Sequence, residues 1–188
     1  MNPVKLVIGF VPFVLFTVLG NWIPVGWAAV VGLVAAITVT AVTARGGVKI
    51  LPVVQAMILL VILVLGFLGG AAVDAFLIMY GRGVASLLLG LFILVTATSM
   101  PFTAQFARAA VSPVAWHSSR FLRVIRRLSL AWGAVVLVLA VCHIVGAILE
   151  AHGAAPLVRL LVDWVVPILA FLRVVAFTRR IVSQNTSA

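Results

Sequence analysis

The sequence predicts an all-α, polytopic membrane protein with six transmembrane helices and both termini in the cytoplasm. Apolar residues make up 65% of the 188 residues and charged residues only 9%, whereas a soluble domain carries about 25% charged residues. A soluble fold of this length could not cover so much apolar surface with polar side chains. The apolar residues also fall into separate stretches, most of them close to the roughly 20 residues that a spanning helix needs. We therefore treat residues 1–188 as one transmembrane domain.

The predicted spans lie near residues 4–20, 25–43, 50–68, 84–100, 128–149 and 156–177. The first is short and contains Pro12, which should kink it because proline has no backbone N–H to donate. Residues 71–83 are apolar but too few to cross, and they include Asp74, Tyr80 and Arg82. We expect this segment to be interfacial or re-entrant at the outer surface, separate from the fourth span.

The distribution of basic residues predicts the orientation, because cytoplasmic loops carry an excess of Lys and Arg. With the N-terminus inside, the outer side holds only Arg82 and Arg159 of the thirteen basic residues, together with all three acids. The eleven on the inner side are Lys5, Arg45, Lys49, Arg108, Arg120, Arg123, Arg126, Arg127, Arg173, Arg179 and Arg180. The net charge of +10 then indicates topology and contact with anionic lipid headgroups, not nucleic acid. The predicted location is the inner (plasma) membrane.

Ionisable and polar residues inside spans are the first candidates for function. His143 lies in the fifth span, and Glu150 follows seven residues later on the same helical face. Such a pair could relay protons or bind a cation, or His143 could simply bond to a neighbouring helix. Gln55 and Thr98 could line a small polar cavity with His143, or form ordinary interhelical hydrogen bonds.

Two further charged features have simpler interpretations. Arg159 and Asp163 stand four residues apart and should form a surface ion pair. Residues 112–127 should form a basic amphipathic helix at the inner surface, with Ser112 as its N-cap and Pro113 at its first position. Its face of Arg120, Arg123 and Arg127, with Arg108 and Trp116 before it, would either anchor the chain or contact an anionic lipid or partner protein.

Small residues four positions apart are expected to let helices pack closely. The candidate pairs are Gly66 with Gly70, Ser86 with Gly90, and Ser129 with Gly133. The sequence has no zinc-protease motif, no nucleophile elbow and no phosphate-binding loop. It also has a single cysteine, Cys142. We therefore expect no catalytic residue, no metal and no cofactor.

Three stretches resemble the bacterial intracellular septation protein A family and its uncharacterised relatives. They are residues 9–16 (Gly-Phe-Val-Pro-Phe-Val-Leu-Phe), residues 128–133 (Leu-Ser-Leu-Ala-Trp-Gly), and residues 101–116, with Pro-Phe-Thr, Phe-Ala-Arg and Pro-x-x-Trp. The resemblance covers most of the chain through short motifs. It implies a small inner-membrane protein linked to envelope maintenance or division, with no established chemistry. The charged loops differ considerably from the family's.

The leading hypothesis is therefore a non-enzymatic inner-membrane protein of the septation-protein-like group that acts through lipid or protein contacts. Its partners would be the bilayer and anionic lipids at the inner surface, and a second copy or another membrane protein stays open. The alternative from a different class is a small transporter or channel with a polar path lined by Gln55, Thr98 and His143. A lipid-handling enzyme is the third hypothesis.

Overall fold

The computed structural model describes residues 3–44, 47–108 and 111–186, and it contains no β-strand in these ranges, which confirms the predicted all-helical class. In chain order the α-helices are α1 (Pro3–Ile8), α2 (Val11–Leu19), α3 (Val25–Thr43), α4 (Ile50–Leu68), α5 (Gly70–Thr96), α6 (Phe102–Ala107), α7 (Ser119–Ala151), α8 (Pro156–Leu160) and α9 (Val166–Thr186). A 3₁₀-helix covers Pro113–His117. A π-helical turn at Leu161–Val165 joins α8 to α9.

Five helical segments are long and apolar enough to cross a membrane, which makes the chain a multi-pass membrane protein. They are Val25–Thr43, Ile50–Leu68, Gly70–Thr96, Ser119–Ala151 and the continuous run Pro156–Gln184. The first two have the bounds that hydropathy gave for the second and third spans. The first predicted span, residues 4–20, is not among the five, because it consists of two short helices, α1 and α2.

The kink expected at Pro12 is present as a break between α1 and α2 at Gly9 and Phe10. Pro12 occupies the first turn of α2, where its missing N–H would have bonded to the carbonyl of Ile8 in an unbroken helix. The break is buried: Phe10 is 2% exposed and stacks on Trp132 at 4.7 Å between ring centroids.

The structure differs from the sequence prediction in the second half of the chain. Residues 71–83 are not a separate interfacial segment, since they form the first half of α5, which continues unbroken to Thr96. The basic segment 112–127 is not one continuous helix either, because Ser112 and Pro113 begin only the short 3₁₀-helix Pro113–His117. The α-helix α7 begins after Ser118, whose hydroxyl accepts a hydrogen bond from the Phe121 N–H at 3.2 Å. Residues 119–127 are thus the first turns of α7.

Glycines set the closest helix contacts, as the small-residue pattern predicted for two of the three pairs. A methyl group at Gly90 of α5 would meet Leu137 of α7, and one at Gly133 of α7 would meet Ile93 and Leu94 of α5. The pair of Gly66 and Gly70 behaves differently. Gly66 packs on Gly26 of α3, whereas Gly70 adopts a φ of 73° in the turn into α5, a conformation that glycine accommodates best.

The bundle has two ends of opposite character. We call the end with Gly20, Gly69 and His152 the acidic end, because all three carboxylates of the chain lie toward it. The basic end carries Lys49 and the start of α7. There the buried helix α6 joins α4 to α7: its Gln105 side-chain oxygen accepts the Ile50 N–H of α4 at 2.7 Å. The Thr103 hydroxyl donates to the Ile125 carbonyl of α7 at 2.7 Å.

Candidate functional site

Two close contacts with carboxylates at the acidic end differ from the pairs that the sequence indicated. His143 Nδ1 lies 3.6 Å from Asp163 Oδ1, and Arg159 lies 2.9 Å from the Glu150 carboxylate. The expected pairing of His143 with Glu150 and the expected pairing of Arg159 with Asp163 are therefore both absent from the described ion pairs. The two carboxylates have thus exchanged partners relative to the sequence prediction, and each contact joins α7 to the segment from α8 to α9.

The position of Asp163 follows from the backbone on both sides of it. Asp163 lies in the π-helical turn, where the Val166 N–H bonds to the Leu161 carbonyl. Pro167 cannot donate to the Asp163 carbonyl, so a regular α-helix is interrupted at this point. On the facing helix, a methyl group at Gly146 would overlap the Asp163 carboxylate. The absence of a side chain at Gly146 therefore lets the carboxylate approach α7.

A cavity of about 290 Å³ lies beside this pair, between α2, α7 and α9. We call it the apolar groove. Its walls are almost wholly hydrocarbon, and polar groups occur mainly at one end, where Arg82, His143 and Asp163 meet it. The main apolar lining residues are Val14 and Val18 of α2, Leu139 of α7, and Ile168, Phe171 and Leu172 of α9.

A second cavity of about 510 Å³, the charged cleft, adjoins the polar end of the groove. Arg82, Asp163 and Trp164 line both cavities, so these three residues form their common wall. The Glu150–Arg159 pair lines only the charged cleft and is partly exposed. The two cavities together place a hydrocarbon surface next to a polar one.

Arg82 is the residue of this site that the sequence prediction missed, since it served there only as a topology marker. Its side chain is half-buried, passes beside Gly20, and forms no ion pair with any residue in the described part of the chain. An arginine twelve residues into an apolar helix was the available signal. Ionisable residues at such positions usually face a partner or a water-filled cavity.

The proposed polar path is not assembled by these cavities. Gln55 is fully buried in α4, and neither atom of its amide has a hydrogen-bond partner among the described residues. Thr98 follows the end of α5 and is exposed. Neither residue is among those that line the apolar groove or the charged cleft, whereas His143 lines the groove.

At the basic end, the candidate contact residues form a surface instead of a pocket. Arg120, Arg123 and Arg127 are all exposed on the first turns of α7. The Arg108 guanidinium lies over the Trp116 ring, 5.3 Å from its centroid. The Trp116 indole N–H donates to the Val111 carbonyl at 3.1 Å, so the ring is held in place. This arrangement suits contact with lipid headgroups.

The helices and cavities define the class: a multi-pass helical membrane protein with an apolar groove that ends at a charged cleft. No protein-family model, no curated protein and no solved structure matches the chain. Within the ranges that the structure describes, no group of three or more His, Cys, Asp and Glu residues could hold a metal ion. The function is therefore argued from the site itself.

Proposed function

We propose that this protein is a non-enzymatic protein of the bacterial inner membrane that binds a membrane lipid in the apolar groove. Lipid binding would be the means by which it acts in envelope maintenance or division, the role that its resemblance to the septation protein A family implies. The observation that supports the proposal is the junction of the apolar groove with the charged cleft at Arg82, Asp163 and Trp164. A lipid molecule has a matching arrangement, because its hydrocarbon chain is attached directly to a charged headgroup.

The groove is accessible from the side of the bundle. Val14, Ile168 and Leu172 line it and are 43%, 51% and 57% exposed. In a bilayer these surfaces face hydrocarbon, so an acyl chain can enter laterally without crossing a polar barrier. A volume of about 290 Å³ lies just below the roughly 300–1,000 Å³ that is typical of small-molecule sites. The groove therefore suits part of one chain, not a whole diacyl lipid.

The apolar walls alone cannot make such a site selective. Acyl chains are as apolar as leucine side chains, so moving a chain from the bilayer into the groove brings only better van der Waals packing. Selectivity has to come from the polar end. The proposal therefore depends on the groove and the cleft together.

The proposed topology is six crossings with both termini in the cytoplasm. The basic end would face the cytoplasm, where Arg108, Trp116 and the first turns of α7 would meet anionic headgroups. The acidic end would face outward. The transporter alternative has less support, because neither Gln55 nor Thr98 lines the apolar groove, which His143 lines, or the charged cleft.

Blocking the groove tests the proposal. In an Ile168→Trp variant, the indole should fill the groove and lower lipid occupancy of the purified protein by about fivefold or more, an estimate based on the cost of overpacking a site of this size. The neighbouring variant Leu169→Trp is the matched control, since Leu169 is 54% exposed but is not among the residues that line the groove. Native mass spectrometry after detergent exchange measures the bound lipid directly.

The control should retain the lipid occupancy of the unmodified protein. Equal occupancy in the Ile168→Trp variant, the Leu169→Trp variant and the unmodified protein would overturn the proposed site. Loss of lipid in both variants would also count against it, because the effect would then not depend on the groove.

A further inference from the structure

Resting on the proposed function, we infer that the junction of the charged cleft with the apolar groove recognises a phosphoethanolamine headgroup. Its phosphate would bind Arg82 and its primary ammonium would bind Asp163 and His143. The lipid's chain would lie in the apolar groove. The site therefore selects a zwitterionic lipid over anionic lipids, although the net charge of the chain is +10.

The charge balance of the cleft leads to this choice. Glu150 and Arg159 neutralise each other at 2.9 Å. This leaves one cation, Arg82, and one carboxylate, Asp163, both lining both cavities and not paired with each other among the described ion pairs. Two opposite charges that share a cavity are complementary to a ligand carrying one charge of each sign.

His143 and Asp163 supply the more specific observation. The His143 side chain is 92% buried, and both its Nδ1 and the Asp163 Oδ1 are buried atoms with no hydrogen-bond partner among the described residues. Their separation of 3.6 Å is too long for a direct hydrogen bond. Leaving such groups unbonded is costly, at about 1–3 kcal/mol each. Both atoms are closed off from solvent, so a ligand bonds to them only when the two side chains turn toward the cavities that they line, and it then supplies the missing hydrogen bonds.

A primary ammonium meets this requirement. It carries three N–H donors, and one nitrogen can lie within hydrogen-bonding distance of two acceptors that are 3.6 Å apart. His143 accepts at Nδ1 when its proton is on Nε2. A choline headgroup has no N–H to donate. A glycerol headgroup leaves the Asp163 carboxylate without a counter-charge in a poorly solvated site.

Arg82 suits the phosphate. The planar guanidinium presents paired N–H donors that match two phosphate oxygens, and it has no competing carboxylate in the described structure. Its position at the boundary of groove and cleft matches that of a lipid phosphate, which lies between the chain region and the terminal headgroup. Both ends of the headgroup thus have a partner in the cleft.

Three lysophospholipids with the same acyl chain test the inference: the ethanolamine, the choline and the glycerol forms. Each is titrated into the purified full-length protein in detergent, and native mass spectrometry gives the bound fraction. The ethanolamine form should bind about tenfold more tightly than either of the others, as expected for the loss of one charge-assisted hydrogen-bonded contact. This comparison uses the unmodified protein, so it does not depend on the folding of any variant.

Asp163→Asn should remove the preference by weakening the ethanolamine form alone. Arg82→Gln should weaken all three, because all three carry the phosphate. Asp74→Asn, which changes an aspartate outside both cavities, is the control and should leave the preference intact.

The inference fails if the three headgroups bind equally to the unmodified protein. It also fails if Asp163→Asn weakens all three alike, which is what a merely structural role of Asp163 would give. If Ile168→Trp weakens binding of all three lysophospholipids and the unmodified protein shows no preference among them, lipid binding in the groove is supported and only the headgroup inference is wrong. If Ile168→Trp has no effect on any of them, the groove itself is excluded.

Discussion

At Gly146 the absence of a side chain decides which residues of the acidic end meet. The Asp163 carboxylate occupies the space where a β-carbon would stand, and this brings it to His143. Sequence spacing favoured Arg159 as the partner of Asp163, because residues four apart are neighbours on a regular helix. The π-helical turn at Leu161–Val165 changes that register, and hydropathy carries no signal for it.

A Gly146→Ala variant should lose stability. The added methyl group would push the carboxylate away, which should cost about 1–3 kcal/mol for overpacking. The better helix propensity of alanine offsets about 1 kcal/mol of this. We expect the thermal midpoint in detergent to fall by several degrees. Measuring the midpoint by intrinsic fluorescence or by light scattering checks the prediction.

Gly81→Ala is the matched control, since a methyl group there meets Val25 and Leu77 at 3.6 and 3.7 Å, which is ordinary contact. Its midpoint should be unchanged or slightly raised. A midpoint for Gly146→Ala as high as that of the control would contradict the close approach of Asp163.

Among the elements, α6 is the one whose role hydropathy could not indicate. It has six residues, too few to cross a membrane, yet five of them are buried. Its polar side chains face the elements that it joins: Gln105 caps the start of α4, and Thr103 bonds to α7. Lys49 adds a contact by donating to the Gln105 carbonyl at 3.1 Å. The basic end is thus closed by hydrogen bonds as well as by packing.

Replacing Gln105 by leucine should loosen this end. The Ile50 N–H, at the start of α4, would lose its acceptor, which should cost about 1 kcal/mol or more. Gln105→Glu keeps an acceptor oxygen in the same place and should retain the stability of the unmodified protein. Amide hydrogen exchange of the first turn of α4 distinguishes the two variants, and equal protection in both would rule out the capping role.

Helix α5 shows a second kind of error in the hydropathy prediction, which divided one continuous helix into two segments. Polar residues such as Asp74 and Tyr80 made its first half look like a separate surface segment, whereas the helix runs unbroken through them. An apolar character is required for crossing a bilayer, but a helix continues wherever its backbone bonds can form. Hydropathy therefore located α3 and α4, which carry no charged residue, and misplaced the starts of α5 and α7, whose first halves carry charged residues.

For the whole molecule, the sequence was sufficient to identify a helical membrane protein and insufficient to identify its site. The class follows from composition alone, because the amount of apolar surface excludes a soluble fold. The site depends on tertiary contacts between α2, α5, α7 and α9, which single-residue properties do not encode. Gln55 and Thr98 were chosen as polar residues in spans, and neither of them lines the apolar groove that His143 lines.

Cysteine accessibility tests the proposed six-crossing topology. In a Cys142→Ala background, single cysteines replace four exposed residues: Val4, Val48, Val114 and Ala151. Each cysteine reports on which side of the membrane its part of the chain lies. An impermeant maleimide added to intact cells should label position 151 and spare the other three. Labelling of position 4 together with position 151 would show that α1 and α2 do not cross, leaving five crossings.

The break between α1 and α2 has a consequence for biogenesis. Neither piece is long enough to span a bilayer, and the backbone at the break needs protein around it, since lipid offers no hydrogen-bond partners. The aromatic partners of Phe10 are Phe102, Trp132 and Phe171, all far downstream in the chain. The segment that leaves the ribosome first therefore obtains its final environment last, after α9 has been synthesised. A truncation before Phe171 should leave the N-terminal segment accessible to proteases during insertion.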